Sequence, residues 1–297
     1  MGLLADNNKW NQYIIHGILM PIVAAFGICG NVAGILYFRK RRLQQLTFYL
    51  LLISLAIFDL LFIITATLIF SAREIFPNSY NNVECTMCIY LDRWALPMAQ
   101  LSLFGSTYFT VAICFERYLA ICCPFQYRAK TTKPILYIIA ITCFVVSFNI
   151  PHFFEWKIEH SKEKIQLKIT DLRNNRLYYY IYGVALKFTF QYIIPCSILI
   201  ILNVKIMKSL LTRSSNIIVT GNAAINNQNI EVVLQVNLNS EAAQRKKRRK
   251  IQSDLAKLNL IIVIIFMTCL PLGCINDIYE VYYGIQKVIT LIGMHSL

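Results

Sequence analysis

The chain has 297 residues, of which 57% are hydrophobic and 15% charged, and its formal net charge is +14 at pH 7. Because soluble globular domains carry about 25% charged residues, this composition excludes an ordinary soluble domain and predicts a surface that faces lipid. The positive charge does not indicate nucleic-acid binding, because the Lys and Arg residues lie between long apolar segments, the pattern that orients membrane proteins.

Long apolar segments organise the whole chain. A bilayer core about 30 Å thick is crossed by about 20 helical residues, and six segments meet that length. They are residues 13–38, 48–70, 94–122, 134–154, 178–206 and 255–279. A partial seventh, 285–297, begins apolar but is too short to cross. The prediction is an all-α membrane protein, a seven-transmembrane helix bundle with the seventh helix truncated, which follows residues 1–12 and contains a flexible loop at 212–250.

The short loops predict the orientation of the chain. Basic residues cluster at 39–42, between 128 and 133, and at 245–250. Lys and Arg favour the cytoplasmic side of a membrane, so these loops are placed inside and residues 1–12 outside. The loop at 152–177 also holds six basic residues, which weakens this assignment without reversing it. The predicted location is the plasma membrane, crossed several times, with an extracellular N-terminus.

One acid lies in the middle of an apolar segment. Asp59 interrupts the second segment, and an ionisable residue at that depth is costly, so it is a candidate functional residue. Two interpretations stay open. The acid either faces water at a helix seam, or forms a site for a cation or a conformational change inside the bundle.

A charged triplet marks the end of the third segment. Glu116-Arg117-Tyr118 lies there, and Pro124, seven residues after the arginine, stops the helix. Taken alone the triplet is weak evidence, because neighbouring opposite charges at a helix end also snorkel to the membrane interface. Its position at the end of a membrane segment gives it more weight.

In chain order, these residues resemble those of rhodopsin-class G-protein-coupled receptors. Short matches fall in six consecutive segments, and they are Gly30-Asn31, Leu55-Ala56 with Asp59, Ser106 with Glu116-Arg117-Tyr118, Pro151, Pro195, and Phe266 with Cys269-Leu270-Pro271. The nearest likeness is to invertebrate FMRFamide-type neuropeptide receptors, and its most specific part is the run Asn149-Ile150-Pro151-His152-Phe153-Phe154-Glu155. The resemblance implies a receptor and not an enzyme. It implies a heterotrimeric G protein, an extracellular peptide ligand and the lipid bilayer as partners.

The resemblance also implies two groups of functional residues. Those implied in G-protein coupling are Glu116, Arg117, Tyr118 and Phe125. In the family the acid of the triplet holds the arginine until the sixth helix swings outward, and the residue after the proline inserts into an apolar pocket of the G protein. The residues implied in activation are Asn31, Asp59, Ser106, Pro195 and Pro271. The resemblance places some of them around a sodium ion near Asp59. The two prolines lie inside helices, where each removes a backbone hydrogen bond and favours a bend.

Candidate ligand contacts follow from spacing. The amine receptors of the family resemble one another in an aspartate eighteen residues before the arginine of the triplet, and Ala99 at that place disfavours an amine ligand. Lys187 and Gln191 are four residues apart, so they are expected on one face of the fifth helix. Asp277 and Glu280 are three apart near the outer end of the sixth. These acids either pair the guanidinium of an amidated Arg-Phe peptide or are solvated at the membrane interface.

Several features depart from the family. Its usual disulfide ties the third helix to the loop that follows the fourth, and Cys85 or Cys88 could supply one half, but residues 152–177 contain no cysteine. Without that bond the loop is expected to be mobile. The last segment lacks the family's Asn-Pro-x-x-Tyr. No cysteine or histidine spacing indicates a metal site. The predicted function is a neuropeptide receptor, and the alternative is a truncated, non-signalling fragment that modulates a full-length partner.

Overall fold

The computed structural model describes residue 10 and residues 13–40, 46–75, 86–129, 133–160 and 165–224. In this part of the chain, five helices are long and apolar enough to cross a membrane. They are Tyr13–Arg39, Leu46–Ser71, Ile89–Cys122, Pro134–Phe154 and Arg176–Leu210, here called spans one to five. Both ends of each span lie within about five residues of the corresponding predicted segment. The predicted segments 255–279 and 285–297 lie outside the described residues, as do Cys85, Pro271, Asp277 and Glu280.

The spans differ in their local helix type. Span one opens as a π-helix, Tyr13–Leu19, and continues as an α-helix, Met20–Lys40. Spans two and three are the α-helices Leu46–Ile75 and Thr86–Cys122. The short helix Pro124–Ala129 follows span three.

Prolines delimit span four at both ends. Its α-helix, Pro134–Asn149, begins with a proline in the first turn, where the missing N–H would have no helical partner. Near the other end Pro151 cannot continue the α-helical hydrogen bonding, and the chain closes in a 3-10 turn, Ile150–Phe154.

Span five is the least regular. After the short helix Asp171–Asn174, the side chain of Asn175 accepts hydrogen bonds from the backbone N–H groups of the first turn. The span then runs through Arg176–Tyr178, π-helices at Tyr179–Leu186 and Thr189–Ile193, and a long α-helix, Ile194–Ala224.

Large apolar side chains cover the outside of the spans. Phe26 is 76% exposed, Leu136 66% and Ile201 53%. A water-soluble surface does not carry apolar residues at this density, whereas the hydrocarbon core of a bilayer requires them. The exposed apolar surface therefore agrees with the membrane-spanning helices.

A β-hairpin connects spans four and five. Strand β1, Trp156–His160, pairs antiparallel with strand β2, Ile165–Ile169, and Ile158 stands opposite Leu167. The expectation of an all-α chain missed this element. We also expected this loop to be mobile because it has no disulfide. The structure shows that strand pairing organises its backbone.

Within the described residues, the contacts divide into two units, Met1–Phe109 with Thr132–Gln191, and Thr110–Thr131 with Tyr192–Leu297. The first has an aromatic core in which the rings of Phe104 and Phe148 stack with centroids 4.7 Å apart. The second has smaller apolar clusters, and their buried members are Cys114, Leu199 and Leu202 in one, Ile121 and Ile206 in the other.

Two glycines let the first three spans pack closely. A Cβ atom built on Gly27 would lie 2.8 Å from Ile63 Cδ1, and one built on Gly105 would lie 2.2 Å from a ring carbon of Phe58. Small residues at helix contacts are a usual means of close packing in membranes, where water does not drive helices together. The contact between Gly105 and Phe58 positions Asp59, the residue that follows Phe58.

Candidate functional site

Asp59 lies between spans two and three and is hydrogen-bonded there. The hydroxyl of Ser106 donates to Asp59 Oδ1 at 2.6 Å. Gly105 makes the approach possible, since any side chain there would meet the Phe58 ring. The structure thus gives Asp59 a hydrogen-bond partner inside the bundle, in line with the second of the two interpretations.

The other predicted members of this group are not brought to Asp59 by a described contact. The side-chain amide of Asn31 donates back to the carbonyl oxygen of Gly27, one turn earlier in its own helix, at 3.0 Å. Pro195 is buried in the first turn of the long α-helix of span five, directly after a π-helix. Among the described residues, no group of three or more His, Cys, Asp or Glu could hold a metal ion. The sodium ion stays a prediction.

The charged triplet is buried. Glu116 is 2% exposed and Arg117 is 1% exposed. This burial excludes the interpretation in which the two charges snorkel into the membrane interface. Charged side chains are rarely buried to this extent without partners, so the pair belongs to an organised polar site within its unit.

Tyr127 completes this polar site and was not found from the sequence. It lies in the helix Pro124–Ala129, whose first turn is closed by a hydrogen bond from the Tyr127 N–H to the Cys123 carbonyl oxygen at 3.0 Å. Its hydroxyl hydrogen-bonds the Glu116 carboxylate. Burial, the negative charge of Glu116 and that hydrogen bond raise the pKa of Tyr127 above its ordinary value, against an opposing effect of Arg117. The available signal was the helix-starting Pro124, which places the tyrosine one turn along.

Tyr118 and Phe125 have different environments. Tyr118 packs against both apolar clusters of its unit, and the Lys205 ammonium lies 5.6 Å from its ring centroid. It is therefore a packing residue as well as a member of the triplet. Phe125 is 87% exposed, and a phenylalanine ring so placed is available for contact with a partner.

The hairpin is fastened through one buried carboxylate. Glu155 is 5% exposed and lies between His152 Nδ1 at 3.0 Å, the Tyr178 hydroxyl at 2.9 Å and Arg173 Nη1 at 3.2 Å. Its backbone carbonyl accepts from the Thr170 N–H at 2.9 Å, just after β2. We call Glu155, His152, Arg173 and Tyr178 the Glu155 cluster. It joins the end of span four, the segment after the hairpin and the start of span five.

The electrostatics of the Glu155 cluster favour an ionised carboxylate. Burial alone raises the pKa of Glu155, but the hydrogen bond and charge of His152, the charge of Arg173 and the hydrogen bond from Tyr178 together lower it below its ordinary value. The cation of Arg173 is itself held over the Trp156 ring, 4.7 Å from its centroid. The sequence showed Glu155 only as part of a motif, since its partners lie up to 23 residues away.

Gln191 also has a partner that the sequence did not reveal. It is 2% exposed, and its Oε1 accepts a hydrogen bond from Gln100 Nε2 of span three at 2.7 Å. Lys187 is half-buried and lies between the π-helices Tyr179–Leu186 and Thr189–Ile193. The prediction of one shared face assumed α-helical geometry. Gln191 lies in a π-helix, where residues four apart also lie close to one face, so the shared face stays a prediction.

These features together define a membrane protein of several helices with buried polar sites. The chain belongs to the 7 transmembrane receptor (rhodopsin family), whose profile matches residues 30–287. This is a family of signalling receptors and not of enzymes.

Among its relatives, the chain is 27% identical to the FMRFamide receptor of Drosophila melanogaster over 95% of its own length and 48% of that protein. It is 22% identical to the FMRFamide peptide receptor frpr-18 of Caenorhabditis elegans over 61% of the chain and 43% of that protein. It is also similar to the alpha-1A adrenergic receptor of Oryzias latipes, at 26% over 57% of the chain and 35% of that protein. The predicted resemblance is confirmed. The chain spans about half the length of the curated relatives it matches or less.

Proposed function

We propose that the chain is a neuropeptide receptor that binds an FMRFamide-like peptide outside the cell and activates a heterotrimeric G protein inside it. The observation that carries this proposal is the site formed by Glu116, Arg117 and Tyr127. A buried arginine, held next to an acid that a neighbouring tyrosine contacts, can change its partners when helices move. A buried charge without such partners would cost several kcal/mol.

The proposed orientation places this site at the cytoplasmic end of span three. The exposed Phe125 ring lies after that end and would contact the G protein. The Glu155 cluster and the hairpin then lie on the extracellular side, where a peptide arrives. The names of two relatives support a peptide ligand of the FMRFamide type, and Ala99 supplies no charge for an amine.

A sodium ion near Asp59 is part of the proposal. Asp59 and Ser106 offer two oxygens that are already adjacent, and oxygen atoms are the ligands that hard cations prefer. When bound, the ion would neutralise the Asp59 carboxylate and stabilise the arrangement of spans two and three.

The test is expression of the chain in cells with a calcium or cyclic-AMP reporter and a panel of amidated peptides. Surface expression is measured in parallel by an antibody to an N-terminal tag on intact cells, which also tests the orientation. We expect a response to at least one Arg-Phe-amide peptide, and its loss in Arg117→Ala at equal surface expression. No response to any peptide from a chain that reaches the surface would contradict the proposal. Peptide binding without a response would favour the non-signalling alternative.

A further inference from the structure

We propose that a noncovalent tether, in place of the disulfide usual in the family, fastens the hairpin to span three. The tether consists of the hydrogen bond from Arg93 to the Phe153 carbonyl group together with the Glu155 cluster. A disulfide needs two cysteines, and residues 152–177 contain none. Reducing agents should therefore leave the hairpin in place. The tether is independent of the proposed peptide and of the G protein.

Arg93 supplies the link to span three. Its Nη2 donates a hydrogen bond to the carbonyl oxygen of Phe153, which lies 60 residues further along the chain. The guanidinium also lies 5.3 Å from the centroid of the Trp94 ring, and that ring lies 6.3 Å from the ring of Phe153. A cation is attracted to an aromatic face at this distance. The first turns of span three are thus joined to the last turn of span four by a polar contact and by packed rings.

The end of span four offers three consecutive carbonyl groups to the tether. The last C=O groups of a helix lack partners within it and accept from other donors. The Phe153 carbonyl accepts from Arg93, and the Phe154 carbonyl accepts from the Thr170 hydroxyl at 2.7 Å. The Glu155 carbonyl accepts from the Thr170 N–H at 2.9 Å. The backbone that leads into β1 is therefore held from two sides, by span three and by the residue that follows β2.

The Glu155 cluster extends the tether to span five. Tyr178, whose hydroxyl is bonded to Glu155, lies in the helix Arg176–Tyr178 at the start of that span. Its ring stacks on Tyr182 with centroids 5.1 Å apart, and the Tyr182 hydroxyl donates to the Phe148 carbonyl in span four. Because the Glu155 carboxylate is buried, water screens its contacts little. Both ends of the hairpin are thus fixed to the bundle by buried polar contacts.

Such a tether and a disulfide respond to different treatments. A thiol reductant breaks a disulfide because its thiolate attacks one of the sulfur atoms. Contacts of a guanidinium with a carbonyl group, or of a carboxylate with its donors, offer that reagent no target. Removal of one charged partner, by contrast, leaves the others buried and unsatisfied, which weakens the tether strongly. Reduction and substitution therefore separate the two ways of holding the hairpin.

The first experiment adds a thiol reductant to the purified full chain. Hydrogen–deuterium exchange of the hairpin amides is measured with and without it, and the Thr170 N–H is one of the reporters. We expect unchanged exchange, and the same in the double variant Cys85→Ser with Cys88→Ser, which removes any disulfide that these two residues form. Acceleration by about tenfold or more after reduction, or in the double variant, would overturn the proposal, because a covalent bond would then hold the hairpin.

The second experiment tests the link to span three by substitution. Arg93→Met removes the guanidinium and keeps an unbranched side chain. Since a hydrogen bond to a charged group contributes a factor of about 10 to 100 in an equilibrium constant, exchange of the hairpin amides should accelerate by about that factor. Lys157→Met removes a cation from the exposed face of β1 and is the matched control, which should leave exchange unchanged.

Equal exchange in Arg93→Met and Lys157→Met would overturn the role of Arg93. The reductant experiment on the natural chain does not depend on how well either variant folds. It tests the noncovalent tether even if Arg93→Met fails to reach a folded state.

Discussion

Removing the carboxylate of the Glu155 cluster should loosen the hairpin. Glu155→Ala deletes three side-chain contacts at once, those with His152, Tyr178 and Arg173. Hydrogen bonds to charged groups contribute about 1.5–3 kcal/mol each, but they are not additive within one network. Breaking a buried ion pair by removing one partner costs about 3–5 kcal/mol, and this range is our expectation for the local free energy of opening.

A matched control lies in the same hairpin. Glu159 pairs with Lys168 at 2.7 Å, but both side chains are about half exposed, at 46% and 52%. Solvent screens such pairs, so Glu159→Ala should cause no measurable change. The two substitutions remove the same side chain from positions four residues apart and differ in burial and partners.

Hydrogen–deuterium exchange on the purified receptor measures the effect directly. The reporters are the backbone amides of β2 and the Thr170 N–H, which donates to the Glu155 carbonyl. A loss of 3 kcal/mol accelerates exchange through local opening by about 150-fold. Equal exchange rates in the two variants would refute the argument that the buried carboxylate, rather than strand pairing alone, holds the hairpin.

The pH dependence of that protection follows from the lowered pKa of Glu155. A carboxyl group with a pKa lowered by folding stabilises the folded state above its ordinary value of 4.5 and loses that effect as pH falls through the lowered value. The protection of these amides, corrected for intrinsic exchange, should therefore not decrease between pH 7 and pH 5. It should decrease when the pH is lowered below about 4.5. Glu155→Gln should abolish the acid-dependent fall. A decline centred near neutral pH would assign the effect to another group.

Two further substitutions test other contacts. Gly105→Ala places a methyl group within 2.2 Å of the Phe58 ring and should destabilise the receptor by about 1–3 kcal/mol. Gly30→Ala, with open space around the new methyl group, is the control and should not destabilise it. Equal unfolding temperatures of the two variants would contradict this packing. Tyr127→Phe removes the hydroxyl that contacts the Glu116 carboxylate and should lower stability by about 1.5–3 kcal/mol. An unfolding temperature equal to that of the natural receptor would show that this hydrogen bond contributes nothing.

The spans were predictable because their cause is local. Each needs only a run of about 20 apolar residues, which the sequence displays directly. The hairpin was also visible in principle, since apolar residues alternate with polar ones in Trp156–His160 and Ile165–Ile169. The absence of a cysteine in that loop led to the expectation of a mobile segment instead.

The partners of the functional residues were not predictable. Gln100 and Gln191 are 91 residues apart, and nothing in either stretch of sequence indicates the other. Burial of Arg117 depends on neighbours that only folding assembles. The π-helices of span five were not predictable either, because the same apolar run is compatible with a π-helix and with an α-helix.

The π-helices of span five have a consequence for how its length can vary. A π-turn holds one residue more than an α-turn, since each carbonyl accepts from five residues ahead instead of four. Deleting one residue within Tyr179–Leu186 or Thr189–Ile193 can convert such a turn to α-helix while the flanking segments keep their direction. Alignments with related receptors should therefore place single-residue gaps here rather than within the continuous α-helix of span two.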